Sequence, residues 1–290
     1  MTGQKYRLKN KGMKTQFITT NGISLQVIIA GPKDGEPVFL LHGFPDFWFT
    51  WDAQIDVLVT NGFRVIVPNQ RGFGESDKPT DIAAYRQLEL AKDIIGIADV
   101  LGYEQFNLAG HDFGGLVAWS IVTLYPERIK KLVVISAPHL IASLKYRSIR
   151  QKLKSWYIVF FQIPYLPERM LKAFDYAMLV RNMPSFLAPE LLMRYKKAWG
   201  QPQCLRAMLN WYKALIREMK LKEINYGIVT TPTHIIWGKE DSYLEAGLAQ
   251  LSLDQCTTGK LTVFEETNHW VMYERSMEVS NLLLWHFTAK

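Results

Sequence analysis

Six short apolar runs constrain this chain more than any other feature: "PVFLLHG", "FRVIVPN", "QFNLAG", "KLVVISAP", "THIIWG" and "KLTVFEE" recur along it with helix-like sequence between them. Runs without polar alternation suit strands covered on both faces, as in a parallel sheet flanked by helices. Ahead of them, "TQFITTNGISLQVIIAG" alternates around an Asn-Gly pair. That pair signals a hairpin, because both turn residues must accept positive φ. The expectation is an α/β fold: one mixed, mostly parallel sheet of about eight strands, antiparallel at its start and flanked by helices.

The rhythm fails once. Between "SAPH" and "TPTHIIWG" some 85 residues hold helix formers, aromatics and prolines at 164, 167, 184, 189 and 202. A gap of that length implies a helical insertion rather than a loop. The expected organisation is a core of residues 1–139 and 226–290, with a helical cap, or lid, over 140–225.

Charge follows the same division. The net +7 hides 16 Lys or Arg against 5 Asp or Glu between Leu140 and Asn225, a surplus of 11, with the remainder, 18 against 22, negative by 4. No nucleic-acid recognition motif accompanies the basic segment, so no nucleic-acid partner is expected. Acidic substrates or an anionic membrane face would suit it, and an ordinary solvated surface is the plainer reading. No apolar run reaches the roughly 18 residues of a membrane span, and the basic N-terminus lacks an apolar signal core. Cys204 and Cys256 have no metal or redox spacing. A soluble, unprocessed, cytoplasmic protein is expected, with monomer and homodimer both open.

The chemistry concentrates in "LAGHDFGGLVAW", residues 108–119. A strand, "QFNLAG", runs into a helix beginning "GGLVAW", with Asp112 on the turn between them. So sharp a turn needs small neighbours, supplied by Gly110, Gly114 and Gly115. An aspartate capping the helix is the plainer alternative. A carboxylate is already ionised at neutral pH and can attack saturated carbon directly, where a serine needs a base to take its proton.

With "HGFPD" upstream, "RGFGESDKP" in the middle and "GHDFGG" at the turn, the chain resembles the α/β-hydrolase fold epoxide hydrolases over essentially its whole length. That resemblance implies a cofactor-independent, metal-free enzyme with a capped eight-stranded fold. Asp112 would be the nucleophile, and Asp241 in "KEDSYL" would orient the base, with Glu240 its rival. His269 in "TNHWVMYE" would activate water against the ester on Asp112. The Phe44 and Phe113 amides would form the oxyanion hole. Tyr157 in "SWYIVFFQIP" and Tyr212 in "MLNWYKA" match the family's two lid tyrosines, proton donors to the epoxide oxygen. Tyr146, Tyr165, Tyr176 and Tyr195 lie in the same segment without such a match. Trp156, Phe113 and Trp270 are the expected substrate-binding side chains.

One departure is Asn69 in "VPNQRGFGES", where many relatives carry Asp; it removes a charge but no triad member. Dehalogenases share the fold, the nucleophile and the base. However, they hold halide with indole or amide donors, or a substrate carboxylate with Arg, at places where this chain has Phe44 and Phe113. A non-catalytic binder would be expected to lack a triad member, and none is missing. The expected substrate is a small apolar epoxide, and the cap's charge suggests one bearing a distant carboxylate. "KYRSIRQKLKSWYIVFFQ" mixes cations with aromatics and could rest on an anionic membrane; burial against the core is the expectation.

Overall fold

A computed structural model describes residues 12–221 and 226–289. The expectations for the extreme N-terminus and for the end of the cap at 225 fall outside the described residues. In chain order the elements are β1 (Lys14–Thr20), β2 (Ile23–Ala30), β3 (Pro37–Leu41), α1 (Asp52–Thr60), β4 (Arg64–Pro68), α2 (Gln87–Val100), β5 (Phe106–His111), α3 (Phe113–Leu124) and β6 (Ile129–Ile135). Six helices follow: α4 (Leu140–Lys145), α5 (Ile149–Lys154), α6 (Trp156–Phe160), α7 (Leu166–Asn182), α8 (Pro189–Trp199) and α9 (Cys204–Leu221). The chain then forms β7 (Thr233–Gly238), α10 (Gly247–Leu253), β8 (Gly259–Phe264), α11 (Val271–Glu274) and α12 (Ser276–Thr288).

The strands make one sheet in the order β1-β2-β4-β3-β5-β6-β7-β8. β1 pairs antiparallel with β2 and β2 with β4, and every other pairing is parallel. All six apolar runs became strands, and the hairpin turns at Asn21 and Gly22 with φ of 48° and 75°. Successive side chains of a strand point to opposite faces. Val38 and Leu40 therefore meet Trp51, Ile55 and Leu58 of the α1 side and Leu283 of α12. Phe39 and Leu41 meet Leu90 and Ile94 of α2 and Val117 and Ile121 of α3. β8 departs from the expectation of burial on both faces. As the sheet edge it leaves most of its residues exposed or half-buried.

Helices α4–α9 are inserted between β6 and β7, as a cap over the C-terminal ends of the parallel strands. Indole and amide donors tie it down: Trp199 Nε1 to the Pro45 carbonyl at 2.8 Å, Trp211 Nε1 to the Arg71 carbonyl at 2.9 Å, and Gln151 Nε2 to the Tyr243 carbonyl at 2.8 Å. α7 is broken at Phe174, Asp175 and Tyr176, whose φ values of 50°, 55° and 61° are left-handed. The expectation that "KYRSIRQKLKSWYIVFFQ" buries its apolar residues holds in part: Tyr157, Ile158, Phe160 and Phe161 pack against the core. Ile149, Leu153, Trp156 and Val159 instead face water, while Gln151 and Lys154 turn to the loop after β7.

Candidate active site

Asp112 sits between β5 and α3 at φ 51° and ψ −120°, a left-handed backbone for a side chain with a Cβ. That strain is held in place by packing too close for any other residue type. A Cβ on Gly114 would stand 2.2 Å from the Leu41 carbonyl oxygen, and one on Gly115 2.4 Å from the Ala137 Cβ. One on Gly43 would stand 2.5 Å from the Cβ of Asp112 itself. The "HG" and "GHDFGG" segments therefore interlock, and the carboxylate is left standing at the end of the sheet with 19 % of its side chain accessible.

Its two oxygens have different surroundings. Oδ1 accepts the Phe44 N–H at 2.9 Å, while Oδ2 lies 3.5 Å from His269 Nε2. His269 Nδ1 meets Asp241 Oδ2 at 2.7 Å. Asp241 Oδ1 accepts the N–H groups of Tyr243 and Leu244 at 2.8 and 2.9 Å, so the buried acid is fixed by the loop that follows β7. Glu240, the rival acid, is exposed. The Phe113 amide opens α3 and makes no hydrogen bond with Asp112 in this state among the described residues.

Charge coupling follows from this geometry. Burial alone would raise the Asp112 carboxyl, but the hydrogen bond and charge of His269 and the Phe44 N–H outweigh it and hold it below the usual carboxylate range. Burial would lower the His269 imidazole, but the charge of Asp241 and the hydrogen bond with Asp112 raise it well above the ordinary histidine value. Asp112 and His269 thus form an ion pair at rest.

From the cap, Tyr157 and Tyr212 close over this centre. Their rings lie 5.9 Å apart edge to face, and Tyr212 also packs on Phe113 at 4.6 Å and on Phe44 at 5.2 Å. Burial first, with the Asp112 charge a further cause for both, pushes both phenols well above their ordinary value, so both keep their protons. Neither hydroxyl has a hydrogen-bond partner among the described residues. The remaining cap tyrosines stand elsewhere: Tyr165 is exposed, Tyr146 lies against Gly247 and Tyr176 against Trp199, and Tyr195 bonds to Asp46.

Two expected substrate contacts need revision. Trp156 is 59 % exposed on the outer face of the cap, its ring beside that of Phe160. Neighbours on a helix point about 100° apart, and it is Tyr157 that turns inward. Trp270 is buried against His269 and donates its N–H to the Asn182 carbonyl at 2.8 Å, so it joins the His269 loop to the cap. Phe113 is buried and packs edge to face on Tyr212, which in turn meets Phe44 and Phe161.

Sequence reasoning missed a second polar layer. Asp46, the last residue of "HGFPD", is buried and accepts hydrogen bonds from Tyr195 at 2.6 Å and Thr50 at 3.2 Å. Burial pushes its carboxyl up to about 7 despite those bonds. Tyr195 also meets Tyr273 at 2.5 Å, and His111 Nδ1 faces Asp46 across 3.8 Å. The only signal was an acid at the end of an otherwise apolar motif. Asn69 takes up a structural place, accepting the Trp48 N–H at 3.0 Å and donating to Gln26 at 2.5 Å.

Comparison with known proteins identifies the family. A family profile described as the alpha/beta hydrolase fold matches residues 36–276. The AB hydrolase superfamily protein YfhM of Bacillus subtilis is 42 % identical over 280 residues, 94 % of this chain and 97 % of that protein. Human epoxide hydrolase 4 is 34 % identical over 93 % of this chain and 77 % of its own length. Among solved structures, the Bacillus megaterium epoxide hydrolase bound to an inhibitor superposes with a TM-score of 0.86 at 26 % identity, covering 95 % of this chain and all of that one. A metagenomic epoxide hydrolase from a hot environment does so with a TM-score of 0.86 at 27 % identity over 96 % of this chain and 99 % of its own.

Proposed function

This chain belongs to the α/β-hydrolase fold family, and on that premise we propose that it is an epoxide hydrolase, converting an epoxide and water to a vicinal diol through an ester on Asp112. Asp112 Oδ2, the oxygen without an amide partner, attacks a ring carbon and the carbon–oxygen bond of the epoxide breaks. The hydroxyls of Tyr157 and Tyr212 hold the developing alkoxide, and one gives up its proton. The Asp112 charge that raises both phenols disappears as the ester forms, so they become better acids as the alkoxide needs the proton.

The same event changes His269. With Asp112 neutralised, one of the two anions holding the imidazole protonated is gone, and it can pass its proton to the tyrosinate and become a base. Neutral His269, oriented by Asp241, then takes a proton from water. The hydroxide attacks Cγ of the ester, and the oxyanion forms on Oδ1, where the Phe44 N–H already waits and the Phe113 N–H joins it. Collapse expels the diol oxygen, which takes the proton from His269. Re-ionisation of Asp112 returns a proton to the imidazole and closes the cycle.

The observation that carries this reading is an elbow aspartate faced by two cap tyrosines with unpartnered hydroxyls. Halide chemistry is less well supported, because the indole N–H groups of Trp119, Trp199, Trp211 and Trp270 are all committed to carbonyls. A non-catalytic binder would not need the ion pair. The aromatic lining favours an apolar substrate. Mass spectrometry of intact His269→Gln protein, exposed to matched epoxides and haloalkanes, tests the reading. It should gain the whole mass of the epoxide, a gain that Asp112→Asn abolishes. An alkyl adduct from halides alone would make the protein a dehalogenase.

A further inference from the structure

Helix α5 is amphipathic with its apolar side outward, and α6, apolar all round, packs Tyr157, Ile158 and Phe160 against the core while Trp156 and Val159 face water. At about 100° per residue, Ile149, Leu153 and Trp156 share one face. That face is solvent-exposed, at 78, 69 and 59 %, and Val159 extends it at 72 %. The opposite face of α5 is polar and is the one in contact with the core. Ser148 bonds to Glu245, Gln151 donates to the Tyr243 carbonyl and accepts the Glu245 N–H at 2.7 Å, and Lys154 donates to the Asp241 carbonyl. The hydrogen bonds that seat the helix therefore fix its apolar ridge in water, where contiguous large apolar side chains are uncommon and usually mark an interaction surface.

The flanks of the ridge identify its partner. Arg150 and Lys152 stand on its two shoulders, both exposed, and the segment from Leu140 to Ile163 contains five Lys or Arg and no Asp or Glu. Arg150 has a 3.5 Å contact with Glu245, yet its side chain remains 77 % exposed. An apolar ridge between cationic shoulders is the composition of a helix lying in the plane of an anionic bilayer. A second copy of the chain, facing this surface with its own, would set those cations against each other.

We propose that the ridge of Ile149, Leu153, Trp156 and Val159 docks on an anionic lipid surface, with its side chains among the headgroups and Arg150 and Lys152 on the phosphates. Docking is independent of the reaction at Asp112, although it would place the helix bearing Tyr157 at the lipid interface.

Co-sedimentation of the full chain with phosphatidylcholine vesicles, with and without phosphatidylglycerol, tests this, alongside Trp fluorescence. Binding should be at least roughly tenfold stronger to the anionic vesicles and weaken with salt. A blue shift on binding should be absent from Trp156→Phe. The paired substitutions Ile149→Ser with Leu153→Ser, and Arg150→Glu with Lys152→Glu, lie at exposed positions. Each pair should weaken binding roughly tenfold while circular dichroism shows an unchanged fold. Equal binding to both vesicle types, or binding that survives both paired variants, would overturn the proposal. So would a protein that ignores vesicles but changes from dimer to monomer on ultracentrifugation when Ile149 and Leu153 are replaced.

Discussion

Core and cap meet over Asp112 with opposite constructions. On the core side each group is held by backbone: glycines admit no Cβ, the Phe44 N–H fixes one carboxylate oxygen, and two loop amides fix Asp241. On the cap side the rings of Tyr157 and Tyr212 meet edge to face, with no hydrogen bond to either hydroxyl among the described residues; Tyr157 stands on the short, half-exposed α6 and Tyr212 on the long, largely buried α9. The difference separates two tasks. On the proposed mechanism the core supplies a nucleophile, a base and an oxyanion site, which any ester-forming chemistry of this kind needs, and the cap would decide which leaving group receives a proton and which substrates fit.

The comparison can be broken most severely at the nucleophile. Asp112→Asn should reduce diol formation by about 10⁴-fold or more, with the thermal midpoint nearly unchanged, in a steady-state assay on an epoxide the wild type turns over. On the cap side, Tyr212→Phe or Tyr157→Phe should cost roughly 10²-fold in the rate of ester formation under single-turnover conditions, and the double variant more. If the cap tyrosines only pack, the single variants would leave that rate unchanged.

A matched pair of glycine substitutions sharpens the contrast in rigidity. Gly114→Ala drives a Cβ to 2.2 Å from a carbonyl oxygen in the core and should cost about 3 kcal/mol or more by denaturant unfolding. Gly200→Ala in the cap meets the end of the Tyr176 side chain at 3.0 Å and the Lys196 carbonyl oxygen at 3.2 Å, contacts that small shifts relieve, and should fall within about 1 kcal/mol of wild type.

Asp46, where core and cap share a hydrogen bond, gives an effect that appears only as pH is changed. Its folded pKa is raised from 3.8 to about 7, so its contribution to stability is fully present below 3.8 and is lost as pH rises through about 7. Asp46→Asn stays neutral. Between pH 5 and 8 the wild-type thermal midpoint should therefore fall by a few degrees relative to the variant's.

What the sequence disclosed follows the same boundary. The eight strands and the glycine elbow were legible, because unbroken apolar runs and glycines beside a strand end are local signals. The positions of Asp241 and His269 were legible for the same reason, each lying just after a strand, while their convergence on Asp112 rests on the resemblance and on the fold. The cap was legible as helix but not as orientation. Trp156 and Tyr157 are adjacent aromatics, and only the tertiary contact of Gln151 and Lys154 with the loop after β7 decides which one faces Asp112. Asp46, Tyr195 and Tyr273 were out of reach for a similar reason: a buried polar network joining three distant segments leaves no periodicity in any of them.

The central claim is that the Asp112 carboxylate itself bonds to carbon, and a single turnover in ¹⁸O-labelled water with enzyme in excess over epoxide tests it most directly. Attack by Asp112 predicts a diol whose new oxygen is unlabelled, with ¹⁸O appearing in the peptide that contains Asp112. A fully labelled diol from that first turnover, with an unlabelled Asp112 peptide, would mean that water attacks the epoxide and that Asp112 is a base.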